Sequence, residues 1–218
     1  MFAGVDGAGD RWVVAILQPG AVRWAVAEHA AAVLDVVDGC AAVGVDVPIG
    51  LPERGLRRCD VQARQRLGRA AASVFHAPVR AVLDAASHRA ACMALRELGE
   101  AAMTIYTWGI VPKIRQWDAL ALPPHVVEVH PELSFRAMAP ELAFAGKKSA
   151  PGVWQRITAL GRVVDVAAAL AAAPARVAID DALDAIAAAW SARRWAEGGA
   201  QTLGGELDRH GRPMRIVV

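Results

Sequence analysis

The sequence predicts an α/β protein built on a mixed five-stranded sheet flanked by helices, with a helical insertion between the fourth and fifth strands. Three observations lead there. Three short apolar segments separated by turn residues open the chain. Two further apolar segments follow, divided by a long helical stretch. The composition, 55% hydrophobic and 21% charged, supplies a buried core and argues against disorder.

Phe2 to Asp6 is an apolar strand ending in an acid, and Gly7-Ala8-Gly9-Asp10 is a turn. Trp12 to Leu17 forms a second strand. Pro19-Gly20 reverses the chain into an alternating third strand, Val22 to Ala27. These read as an antiparallel meander. Ala30 to Val37 suits a helix stopped by Gly39, and Ala42 to Val47 is a buried strand halted by Pro48, Gly50 and Pro52. A helical, arginine-rich region runs from Asp60 to Leu122, with breaks expected near Pro78 and Pro112. Val126 to His130 is the fifth strand, and Pro131 opens a helix at its favoured first position. Helices are expected over Gly152 to Ala172 and Asp181 to Trp195, and a final strand over Met214 to Val218. Three hairpin strands followed by strands separated by helices is the ribonuclease H-like order. A doubly wound dinucleotide-binding domain would need helix crossovers from the first strand onward.

The 218 residues suit a single domain over 1–218. No uncharged apolar run of about 18 residues is present, so no membrane span is expected. The N-terminus lacks a basic signal-peptide region. Cys40, Cys59 and Cys92 are odd in number and widely spaced, which suits free thiols in the cytoplasm. A formal charge of +2 neither demands nor excludes nucleic acid. Oligomeric state is not readable.

The chemistry is carried by acids. Asp6 and Asp46 each end an apolar run, and Glu128 sits within Val126-Val127-Glu128-Val129. A lone carboxylate is too costly to bury, so each must be solvated, paired or bound to metal. Taken singly, Asp6 is also a turn former, Asp46 a loop cap and Glu128 an arginine partner. Together they point to one site, with the strands of Asp6 and Asp46 as neighbours. In Asp180-Asp181-Ala182-Leu183-Asp184, Asp180 is placed as the helix N-cap and Asp181 against the helix dipole. Asp184 has neither duty and shares a face with Asp181. Ala185 and Ala188 beside them would let the helix approach a strand closely. Clustered carboxylates suit Mg2+ or Mn2+, and two such ions promote phosphodiester cleavage.

Between Glu53 and Arg69 six arginines face two acids. Arg64, Arg66 and Arg69 are candidates for phosphate contact, as are Lys113, Lys147 and Lys148. The competing interpretation is a solvated helix face. Gly146-Lys147-Lys148-Ser149 is no phosphate-binding P-loop, because Glu141 and Lys148 stand where Gly and Ser/Thr are needed. The six histidines lack zinc spacing, and His130 is expected as a helix cap.

Several segments carry a resemblance. They are Val45-Asp46-Val47-Pro48-Ile49-Gly50, Cys59-Asp60, Ala77-Pro78-Val79-Arg80, Val111-Pro112-Lys113-Ile114-Arg115, Glu128-Val129-His130-Pro131-Glu132 and Asp181-Ala182-Leu183-Asp184-Ala185. With these the chain resembles the domain of unknown function 429 (DUF429) family, predicted nucleases of ribonuclease H-like fold. The Asp181-x-x-Asp184 pair is also similar to the last catalytic helix of Holliday-junction resolvases. The resemblance implies Asp6, Asp46 and Asp184, with Asp181, as metal ligands. It implies a hydrolase acting on DNA or RNA, with Glu128 and Asp181 counted among the catalytic acids. Two alternatives remain: a nucleotide-binding phosphotransferase or phosphohydrolase on the same core, and a non-catalytic nucleic-acid-binding relative.

Overall fold

Continuously buried apolar runs and a more exposed third segment in the first 27 residues form three strands, β1 (Phe2–Ala8), β2 (Arg11–Gln18) and β3 (Ala21–Ala27), in a computed structural model that describes residues 1–218. Then come α1 (Ala30–Val36), β4 (Ala42–Val45), α2 (Arg58–Leu67), α3 (His88–Glu97), α4 (Ile105–Asp118) and β5 (Val126–Glu128). The chain continues through α5 (Pro131–Met138), α6 (Ala150–Leu160), α7 (Val166–Ala171), α8 (Ile179–Ala196), β6 (Thr202–Leu207) and β7 (Pro213–Val217). Two compact units result.

The first unit holds Met1–Asp46, Pro123–Gln201 and Val217–Val218. Its sheet has the order β3-β2-β1-β4-β5, with β1/β2 and β2/β3 antiparallel and β1/β4 and β4/β5 parallel. The strands carrying Asp6 and Asp46 are therefore neighbours. The core lies between this sheet and α8, whose Leu183, Ile186 and Ala189 are fully buried with Val13, Ala15 and Phe135. α8 is alanine-rich, which suits both helix formation and close packing. A Ser134–Ser191 hydroxyl contact of 2.8 Å ties α5 to it.

The second unit holds Val47–Leu122 and Thr202–Ile216. It comprises α2, α3 and α4, two 3-10 turns at Gly68–Ser73 and Arg80–Asp84, and the β6–β7 pair. Buried ion pairs organise it. Arg57 grips Asp60 through Nε at 3.1 Å and Nη2 at 2.5 Å, and both residues are essentially inaccessible. Arg80 bridges Asp118 and Asp208, at 2.7 and 2.6 Å.

Several elements differ from expectation. The helix expected over Gly152 to Ala172 is two helices, α6 and α7. Pro112 lies inside α4 instead of breaking it. β6 is a strand not anticipated ahead of the final one. Gly204 within it is there for close approach: a β-carbon would stand 2.7 Å from the Cys59 β-carbon on α2. No helix is long and apolar enough to cross a membrane.

Candidate acidic site

β1 and β4 pair with Val5 opposite Val45, and the Asp46 amide donates to the Val5 carbonyl at 2.9 Å. Side chains alternate along a strand, and register partners share a face. Gly4, Asp6, Gly44 and Asp46 therefore line one face. α8 lies directly on it. A β-carbon on Gly4 would stand 2.0 Å from the Ala185 carbonyl oxygen, and one on Gly44 2.5 Å from that of Ala188. Only glycine leaves room for the helix backbone at these two positions. The approach sets Asp184 and Asp181, within one turn of the Ala185 contact, beside Asp6, the next residue of β1 on the same face. The small residues Ala185 and Ala188 thus permit the contact anticipated for them.

Three carboxylates from three elements converge in this way. Asp6 and Asp184 are buried and Asp46 is half-buried. Burial raises the pKa of Asp6 well above the ordinary carboxylate value, and repulsion from Asp46, Asp184 and Asp181 adds to it. Burial, opposed by His130 and aided by Asp184, puts Asp46 at about 6. Asp184 is also raised by burial, though Lys147 works against the rise. Burial is thus the first cause of the rise at all three acids.

His130 and Arg156 act on the cluster electrostatically, and the cation in direct contact with it is Lys147. Its Nζ donates to Asp184 Oδ2 at 2.7 Å and lies 4.0 Å from Asp180 Oδ2. Burial opposes the ammonium, but the attraction of Asp184, Asp6 and Asp46 outweighs this and raises its pKa. The loop before α6 is pinned from the helix. Arg156, 3% exposed, donates to the Ala145 and Gly152 carbonyls, pairs with Glu132 at 2.5 Å and packs over Phe135 and Phe144. The Gln155 amide oxygen accepts from the Ala145 amide at 2.7 Å.

The other anticipated residues fall elsewhere. Glu128 pairs in register with Val45, which puts it on the face opposite Asp46. It is buried, but strand alternation keeps it out of the cluster. Asp180 is not the N-cap of α8: Ala178 holds that position, with no side-chain cap bond, and Asp180 and Asp181 lie in the first turn. His130 occupies the N-cap position of α5 without a side-chain cap bond and acts electrostatically on Asp46 and Asp184. Lys147, anticipated as a phosphate contact, is turned onto Asp184. Arg64 is likewise engaged internally, donating to the Ala71 and Val74 carbonyls at 2.9 and 2.7 Å. Arg66, Arg69 and Lys148 are exposed and Lys113 is half-buried. Sequence reasoning missed the roles of Lys147, His130 and Arg156 at the site. The Gly146-Lys147-Lys148 run was the only visible pointer.

No three His, Cys, Asp or Glu side chains stand together as a ready ligand group. Carboxylate oxygens are of the type that hard divalent ions prefer. A side-chain cation, the Lys147 ammonium, already docks among these carboxylates.

A mixed sheet with an acidic, glycine-seamed face under a buried helix defines an α/β protein with a candidate carboxylate site. The chain belongs to the family described as "Protein of unknown function (DUF429)", which it matches over residues 4–209. No curated protein and no solved structure matches the chain.

Proposed function

We propose that the protein is a divalent-metal-dependent nuclease of ribonuclease H-like fold, hydrolysing phosphodiester bonds of DNA or RNA in the cytoplasm. The observation that carries this is the convergence of Asp6, Asp46 and Asp184 on one sheet face with a single lysine as direct countercharge. The sheet order supports the fold assignment, and three free cysteines suit the compartment.

Asp6, Asp46 and Asp184 would hold Mg2+ or Mn2+. When bound, such an ion supplies Lewis acidity and a hydroxide from water near neutral pH. The chain's own part is positional. The Gly4–Ala185 and Gly44–Ala188 contacts hold the carboxylates in place, so little rearrangement is needed when charge develops at phosphorus. The exposed Arg66, Arg69 and Lys148 are the remaining candidates for phosphate contact.

The test is cleavage of a panel of single-stranded, duplex and branched DNA and of RNA, with Mg2+, Mn2+ or chelator. Cleavage should require metal and should fall by about 10³-fold or more in Asp184→Asn, a loss of about 4 kcal/mol in transition-state stabilisation. Wild-type protein that cleaves nothing but binds nucleotides would replace this function with phosphotransfer.

A further inference from the structure

The second unit carries fourteen lysines and arginines against eight aspartates and glutamates, while the first carries ten against fourteen. A unit with that surplus attracts polyanions. It also holds an open cleft of about 370 Å³, between the loop that leads into α2 and the β6–β7 hairpin. That size suits a ligand comparable to one nucleotide.

The walls of the cleft are fixed by buried charge. Arg57 and Asp208 both line it. Arg57 donates to the Ile49 and Gly50 carbonyls at 3.3 and 3.2 Å, and Asp208 accepts from the Leu51 amide at 3.2 Å, which fastens the loop to the hairpin. A β-carbon on Gly50 would lie 3.1 Å from the Met214 side chain, so loop and β7 already touch. Apolar surface remains open on this frame. Leu56 from the loop and Leu207 from β6 line the cleft while 57% and 64% exposed. Single exposed leucines are ordinary, but two on one cleft form an apolar surface that the chain does not cover.

Three exposed arginines, Arg54, Arg58 and Arg209, complete the lining, and the fold holds none of them firmly. Arg58 lies 3.7 Å from Glu206 and Arg209 3.4 Å from Glu53, both pairs too exposed to add much stability. Glu53 is shared with the buried Arg80, 3.5 Å away. Arg54 reaches the Leu98 carbonyl at 3.4 Å and faces no acid. Guanidinium groups in this state are available to phosphate oxygens, which they bind through paired N–H donors.

We propose that this cleft takes one unstacked nucleotide of a single-stranded nucleic acid, its base against Leu56 and Leu207 and the flanking phosphates on Arg54, Arg58 and Arg209. Three separate guanidinium groups suit a chain of phosphates better than the one carboxylate of an acyl ligand, and the surplus charge of the unit favours the same partner. Leucine walls can grip a base only when it is out of the duplex stack, which selects single strands. The choice of partner rests on the nucleic-acid function proposed above, but the cleft is a separate site: no residue of the acidic cluster lines it.

Fluorescence anisotropy of a short labelled oligothymidine, with the intact chain in chelator, reads binding apart from cleavage. Wild type should bind the single strand and prefer it to the matching duplex. Leu56→Ala combined with Leu207→Ala, at exposed positions where folding should survive, should weaken binding about tenfold and leave its salt dependence unchanged. Arg54→Ala, Arg58→Ala and Arg209→Ala should each flatten the log–log salt slope by about 0.7. Wild type should bind an abasic strand as weakly as the leucine variant binds oligothymidine. Unchanged affinity in the leucine variant, equal affinity for the abasic strand or tighter binding of duplex would each overturn the assignment. Displacement of the strand by thymidine monophosphate at equal concentration would overturn it in favour of a site for free nucleotides. Metal-dependent cleavage without any binding in chelator would overturn the cleft and leave the proposed function standing. Binding as described without cleavage would do the reverse.

Discussion

The acidic cluster of the first unit and the buried carboxylates of the second are partnered in opposite ways. In the second, each buried carboxylate is matched. Asp60 accepts two bonds from Arg57 and one from the Ala77 amide, and Asp208 is met by Arg80 and by the amides of Leu51, His210 and Arg212. Burial alone would raise Asp208, yet those donors hold it below the ordinary carboxylate value. In the first unit Asp6, Asp46 and Asp184 have one lysine in direct contact, and burial raises all three despite it and the charges of His130 and Arg156. Matched buried charge holds a fold together, whereas buried charge without enough partners works against it.

The largest test of this contrast sets one carboxylate from each unit side by side. Asp60→Asn removes the charge facing a guanidinium that is 1% exposed, and breaking a buried pair in this way costs about 3–5 kcal/mol. Asp6→Asn relieves repulsion and should leave the metal-free protein as stable or more stable. Thermal melting of both variants in chelator decides it. Equal destabilisation would erase the distinction between the two regions.

The pH dependence should differ in sign as well. The raised acids of the first unit bind protons more tightly when folded than when unfolded. The stability they lend is complete below about pH 4, the unfolded carboxylate value, and is lost as pH rises through about 6 for Asp46. The lowered Asp208 contributes stability above that unfolded value and loses it as pH falls further. The metal-free melting temperature should therefore drop by several degrees between pH 5 and 7. Asp6→Asn should flatten that drop, and saturating Mn2+ should reverse it. A melting temperature that climbs over this range would show the cluster to be compensated.

The smallest expected effect sharpens the boundary of the cluster. Asp180 lies in the first turn of α8 but does not cap it, so Asp180→Asn should forfeit only its dipole interaction, about 0.3–1 kcal/mol. A larger loss, or a change in Mn2+ binding, would bring Asp180 into the site through its 4.0 Å approach to Lys147.

Asp6, Asp46 and Asp184 were legible because a charge interrupting an apolar run is conspicuous wherever the chain goes. Glu128 looked identical by that criterion and lies on the other face. Its own segment shows alternation but not register, and a shift of one residue reverses the side. Asp180 was taken for the cap because it is a favoured capping type, whereas α8 begins one residue before it, at Ile179.

The sequence by itself determined the five strands of the main sheet, the long final helix and the acids that end or start them, since these follow from local periodicity and from the cost of burying charge. Only the tertiary structure decided which cation meets those acids. Lys147 lies 37 residues from Asp184, and nothing within its own loop shows that Arg156, Gln155 and Gly152 will fix that loop there. Electrostatic partnership depends on distance in space. Across such separations, distance is set by packing, here by two glycines that let a helix backbone rest on a sheet.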